Sequence, residues 1–164
     1  MKRFLRSMLL VAGAALALGA SNAGAVVTVT FTKPEGYRDM PFALRDKEQV
    51  MKDLQKHFDK LGTQLPQGQD LKVEVLDIDL AGRIEPQLRL GQDIRILKGG
   101  ADWPAIQLRY SIESQGKVLR NGEARITDMS YINHLNRYAA SEPLRYEKRM
   151  LDDWFSKLMR DERK

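Results

Sequence analysis

The chain has no cysteine among its 164 residues. That removes disulfides, thiolate metal sites, Cys nucleophiles and Cys-x-x-Cys redox pairs at once. Histidine is nearly as scarce. His57 and His134 are the only two, and neither belongs to an HExxH-type spacing, so no zinc site with several imidazole ligands is written into the sequence. No GxSxG elbow and no phosphate-cradling glycine loop occurs. Repeats and low-complexity tracts are also missing. After residue 20 no apolar run is long enough to cross a bilayer, which takes about 20 residues.

The one long apolar run is at the start. Lys2, Arg3 and Arg6 precede an almost unbroken stretch from Met8 to Ala20, and Ala23-Gly24-Ala25 supplies small residues at a cleavage position. This pattern predicts a secretory signal peptide over residues 1–25, cleaved near Ala25, and a single domain over residues 26–164 in a bacterial periplasm. No cysteine follows the run, so lipid attachment at the cleavage site is excluded. The segment carries three basic residues and no acid. The 27 Lys+Arg of the chain therefore fall to 24, against 22 Asp+Glu, and the net charge drops from +5 to about +2. The two signs alternate along the chain, which predicts an ordinary solvated surface rather than the concentrated basic face of a nucleic-acid binder.

Residues 27–32 alternate valine and phenylalanine with threonine, a half-buried strand. Residues 46–61 place Val50, Leu54, Phe58 and Leu61 on one helical face, with Asp46 as cap, Gln49 three residues on, and Gly62 at the C-terminal stop. Strands follow at 71–80, 94–97, 105–113 and 118–127. A turn at 114–117 joins the last two as a hairpin. Residues 129–140 are irregular or partly helical. A final helix is expected from Ser141, with Glu142 and Pro143 in its first turn. Leu144, Leu151, Trp154, Phe155 and Leu158 form its apolar face, and Asp153 and Lys157 an exposed ion pair. The fold class is α+β: a largely antiparallel sheet of four to five strands with two amphipathic helices packed on one face.

Asp77 and Asp79 break the strand pattern. Leu71, Val73 and Val75 share their parity, so a straight strand would drive both carboxylates into the core. A bulge near Val75-Leu76 is the cheaper arrangement, because a buried unpaired carboxylate costs several kcal/mol. With Asp128 the pair suggests oxygen ligands for a hard cation, and hence a carboxylate-metal hydrolase. The competing reading pairs them with Arg83, Arg95 or Arg109 and lets them accept backbone N–H bonds from the turn at Gly82. A dyad of His134 with Asp128 or Ser130 is a further catalytic option. Trp103, Arg109, Arg125 and Tyr131 are candidates for a surface that meets an anionic, glycan, peptide or lipid partner. Core packing is the competing role for the aromatics, and salt bridging for the arginines.

Several motifs recur together in order: Asp77-Ile78-Asp79-Leu80-Ala81-Gly82-Arg83, Asp93-Ile94-Arg95, Trp103-Pro104, Leu108-Arg109-Tyr110, Thr127-Asp128-Met129-Ser130-Tyr131, and Pro143 through Phe155. Over residues 27–158 the chain resembles the exported proteobacterial proteins grouped as domain of unknown function three thousand and sixteen. The resemblance implies an envelope location and a single-domain organisation, and transfers no catalytic residue and no cofactor. The expectation that follows is an exported, non-enzymatic binding or interaction module, whose partner is an envelope protein or a cell-wall or lipid component. A metal-dependent hydrolase on Asp77, Asp79 and Asp128 is the alternative, and a small-ligand or lipid carrier the second.

Overall fold

The computed structural model describes residues 25–87 and 92–161. The expected leader lies outside the described residues except for Ala25. Nine elements follow one another: β1 (Val27–Phe31), a single 3-10 turn (Pro34–Gly36), α1 (Leu44–Gly62), β2 (Gln69–Asp79), β3 (Arg83–Gln87), β4 (Gln92–Ile96), β5 (Ala105–Ser114), β6 (Lys117–Thr127) and α2 (Arg145–Asp161). Four strands form the main sheet in the order β1-β2-β5-β6, and β3 and β4 form a separate two-stranded sheet. The chain is α+β, as its periodicities imply. All main-sheet pairings are antiparallel except β1–β2, which runs parallel across the α1 crossover.

The bulge required by Asp77 is present. Val75 pairs with Leu108 and Asp77 with Gln107, so Leu76 is the extra residue. Before it Leu71, Val73 and Val75 are buried; after it Ile78 and Leu80 are, while Asp77 and Asp79 are half-buried. One inserted residue exchanges the two faces and keeps both carboxylates out of the core. The β5–β6 hairpin turns on Gln115 and Gly116, both at positive φ, the twist that two-residue hairpin loops favour.

The core fills the space between one face of the sheet and the helices. Leu54, Phe58 and Leu61 of α1, Leu151, Phe155 and Leu158 of α2, and Ile106, Leu108 and Ile112 of β5 are all buried. Trp154 packs edge-on against Tyr110, with ring centres 5.6 Å apart. The expected role of Gly62 changes: it ends α1 inside the helix, and Thr63 follows in right-handed conformation. Its lack of a side chain serves packing, because a Cβ there would lie 2.1 Å from Cγ2 of Val27.

Both helices start elsewhere than expected. α1 begins at Leu44, two residues ahead of Asp46, which therefore sits inside the first turn. α2 begins at Arg145, after Leu144 in left-handed conformation. Ser141, Glu142 and Pro143 thus precede the helix rather than cap it. The acid of its first turn is Glu147, which is buried and accepts the Ala81 N–H at 2.7 Å. That single bond ties α2 to the segment that follows β2.

Burial raises the Glu147 carboxyl above its ordinary value, opposed by the Ala81 N–H. Between the unfolded and the raised folded value, the native chain holds a proton that the unfolded chain has lost. Stability therefore falls as pH rises through that window. Glu147→Gln keeps the carbonyl acceptor for Ala81 and removes the titration. Urea unfolding between about pH 4 and about pH 7 should show the variant gaining on the parent as pH rises. Parallel pH profiles would mean that Glu147 stays ionised at no cost.

Candidate functional site

The structure separates the three expected metal ligands. Arg38 takes Asp77 at 2.9 Å and reaches Asp79 at 3.7 Å, and the backbone N–H of Arg38 donates to Asp77. Burial raises the Asp79 carboxyl, with Asp39 and Asp77 adding to the rise and Arg38 opposing it. Asp128 is held elsewhere, by Arg149 at 2.9 Å and by the Ser130 N–H at 3.1 Å. Among the described residues no three histidine, aspartate or glutamate side chains gather as a metal would require. The reading that pairs Asp77 and Asp79 with arginine is the one the geometry follows. The partner is Arg38, a loop residue, and none of the expected three: Arg83 pairs with Glu85, Arg95 with Asp39, and Arg109 with Glu74 and Glu123.

The proposed surface set divides. Tyr131 is only 1% exposed and is no surface residue. Its hydroxyl donates to Asp102 at 3.1 Å, its ring packs edge-on against Tyr146, and burial pushes its hydroxyl up to about 12. Trp103 is half-buried beside the buried Pro104. Arg109 lies on the open face of the sheet between Glu74 and Glu123, at 3.4 and 3.2 Å. Arg125 remains, and it lines a groove.

That groove, of about 400 Å³, runs between β6 and α2. The part-exposed Ala124 of β6 and Trp154 of α2 supply its apolar surface, over a floor of the buried Ile126 and Met150. The helix contributes residues 150, 153, 154 and 157, one face at helical spacing, while Leu151, Phe155 and Leu158 turn into the core. Arg125, Asp128, His134, Asp153 and Lys157 bring charge to its lining.

His134 and Asp128 meet there. Nδ1 lies 3.0 and 3.1 Å from the two carboxylate oxygens. Asp128, fixed by Arg149 and Ser130, holds the ring by Nδ1 and leaves Nε2 turned away from the carboxylate. This is the oriented-base half of a hydrolytic triad. The nucleophile half is not supplied: among the described residues no hydroxyl is hydrogen-bonded to His134, and Thr127 donates its own to the Pro104 carbonyl. The pair therefore serves as a fixed polar wall.

The edge of β6 borders the same groove. β6 ends the main sheet, and its only strand partner among the described residues is β5. No backbone hydrogen bond from any other described residue reaches residues 117–127. An unpaired edge beside an apolar helix face is the geometry that accepts an added strand.

A larger groove, of about 560 Å³, lies at the far end of β2 against the β3–β4 sheet and includes Phe42 and Asp79. Its carboxylates are held within the fold. Asp79 faces Arg38, Asp39 pairs with Arg95 at 2.7 Å, and Asp102 accepts the Lys98 N–H and the Tyr131 hydroxyl. A third cluster lies between the helices. The buried His57 places Nε2 3.1 Å from Asp152, and Tyr138 donates its hydroxyl to the same carboxylate at 2.7 Å. Burial pushes the Asp152 carboxyl up, but the bonds from His57 and Tyr138 outweigh it and leave the carboxyl below its ordinary value. This cluster joins α1 to α2.

The profile of the family described as protein of unknown function, DUF3016, matches residues 25–157, and the chain belongs to that family. No curated protein and no solved structure matches it.

Proposed function

We propose that this member of the DUF3016 family is an exported, non-enzymatic binding module of the cell envelope, and that it holds an extended polypeptide segment as an added strand on β6. The observation that carries this reading is the coincidence of an open strand edge with an apolar helix face along one groove. An added strand would lie about 4.8 Å outside β6, with alternate side chains directed toward Ala124, Ile126, Met150 and Trp154. Main-chain bonds to the edge would give affinity, and the groove would select side chains. The basic start and apolar run of residues 1–20 support export. Among the described residues no helix is long and apolar enough to cross a membrane.

The carrier alternative asks for an enclosed space between sheet and helices. That space is occupied by the core side chains of α1, α2 and β5.

The test uses the two-tryptophan content of the chain. In a Trp103→Phe background, Trp154 reports alone. Peptides of alternating apolar pattern should change its emission, and Ala124→Arg, which fills the groove from its floor, should weaken them at least tenfold in a variant whose circular dichroism shows it folded. Binding indifferent to Ala124→Arg would overturn the reading. So would a stable dimer in which β6 is already paired with its own copy.

A further inference from the structure

We infer that the segment held on β6 lies antiparallel and carries an acid and a base two residues apart, in the order Glu-x-Lys, with the acid facing Arg125 and the base facing Glu123. This rests on β6 being the edge that binds.

The backbone sets which residues an added strand meets. Asp128 donates its N–H to the Pro104 carbonyl at 3.4 Å, and Thr127 stands opposite Ala105. In an antiparallel ladder, pairs that bond to each other alternate with pairs that do not. Residues 122, 124 and 126 therefore bond to β5, and residues 121, 123, 125 and 127 turn their N–H and C=O to the open edge. The side chains alternate as well. Ala124 and Ile126 face the groove, while Asn121, Glu123, Arg125 and Thr127 share the open face of the sheet, where all are exposed. A strand laid along residues 121–127 thus sets polar side chains beside these and the alternate ones on the groove.

The open face carries its charges in rows across the strands. Glu74, Arg109 and Glu123 stand directly opposite one another in β2, β5 and β6. Arg109 reaches the two acids at 3.4 and 3.2 Å. The signs alternate, and the row stops at the edge on an acid. In the next row Asp77, Gln107 and Arg125 stand opposite one another. Gln107 donates to Glu123 at 2.8 Å, and Asp77 is held by Arg38. That row stops at the edge on a base. Asp79, whose carboxyl feels the charge of Arg125, also faces Arg38.

Continuing both rows by one strand puts a base opposite Glu123 and an acid opposite Arg125. Opposite charges across a strand pair stabilise it, and like charges destabilise it. β6 already pairs antiparallel with β5, the more stable arrangement per residue. In that direction the partner reads acid, apolar, base. A second copy of the chain carries the same order, Glu123-Ala124-Arg125, and would meet this edge across a two-fold axis at Ala124. Opposite Ala124 it would place only another methyl group, beside a groove of about 400 Å³. A different chain, with a larger apolar residue between its two charges, fills that space.

Four labelled peptides, titrated with the purified protein by fluorescence anisotropy, test this: Thr-Val-Glu-Val-Lys-Val-Thr and its counterparts with Lys-Val-Glu, Glu-Val-Glu and Lys-Val-Lys at the centre. The Glu-Val-Lys peptide should bind about tenfold tighter than Lys-Val-Glu, because the exchange turns two attractive pairs into two repulsive ones. The other two should fall between them. The spread should shrink on going from about 0.05 M to about 0.5 M salt. In Arg125→Glu, shown to be folded by circular dichroism, the Lys-Val-Lys peptide should become the tightest binder. If all four bind equally, or Arg125→Glu keeps the parent order, the charge order is overturned and the edge reading stands. If Lys-Val-Glu equals Glu-Val-Lys while the other two bind more weakly, the antiparallel assignment is overturned. If none binds, or sedimentation shows a dimer that no peptide dissociates, the edge reading itself fails.

Discussion

Phe155→Ala is expected to lower the stability of the fold by about 3–5 kcal/mol, a fall in melting temperature of roughly 10–20 °C. Phe155 is fully buried on α2, next to Leu151, in the cluster that joins both helices to the sheet. Removing the ring loses its transfer free energy and opens a cavity that the surrounding strands cannot close. Its tilted contact with Trp154, 6.1 Å between ring centres, is lost as well. Leu151→Ala, at an equally buried position, should cost about 2–5 kcal/mol. Lys157→Ala, two residues on and on the exposed side, should change stability by no more than about 0.5 kcal/mol. Thermal or urea unfolding measures all three. A near-zero cost at Phe155 would mean that α2 does not pack on the sheet, and the groove would lose its wall.

Gly82→Ala is expected to cost at least about 2 kcal/mol, although it adds one methyl group. Gly82 has φ +81, which costs a residue with a side chain about 1–2 kcal/mol. A Cβ there would also lie 2.4 Å from the Ile96 carbonyl oxygen and 2.7 Å from a methyl of Leu97. The leucine can rotate aside; the carbonyl belongs to the β3–β4 ladder and cannot move without disturbing it. The Gly82 N–H donates to the Asp102 carbonyl at 2.8 Å, so a shift here also pulls on the loop that leads into β5. Urea titration of the alanine variant reads the loss. A cost under about 0.5 kcal/mol would show that the segment between β2 and β3 is slack.

The periodicities that depend on burial were legible. Alternation placed β1 and β5, the turn at 114–117 placed β6 as a hairpin return, and the spacing of Leu151, Phe155 and Leu158 placed the inner face of α2. The parity conflict at Asp77 placed the bulge near Val75-Leu76, where it lies, because a buried carboxylate is too costly for the strand to run straight. β3 was not legible: Arg83-Ile84-Glu85-Pro86-Gln87 holds one large apolar residue and a proline, and it pairs only with β4, outside the main sheet. The helix starts were misread because Asp46 and Ser141 have capping chemistry but do not stand where the backbone enters the helix. The turn at Leu144 sets the start of α2 instead.

Less of the site could be read. Asp128 and Arg125 stand out in the sequence, but the partner of Asp128 is Arg149, and the groove that Arg125 borders forms only because α2 folds back beside β6. Residues 124–127 and 150–157 become one groove through tertiary packing, which no local pattern encodes. Two signals pointed toward it: the small Ala124 on the inward parity of β6, and a tryptophan at the margin of the apolar stripe of α2.

Amide hydrogen exchange across β6, with and without a bound peptide of alternating apolar pattern, tests the central claim most directly. The account predicts that residues 123–127 gain protection on binding, because amides on the open edge acquire strand partners, while the β1 edge at residues 27–31 stays unchanged. Binding with no added protection in β6, or with protection confined to β1 or to the β3–β4 sheet, would contradict it.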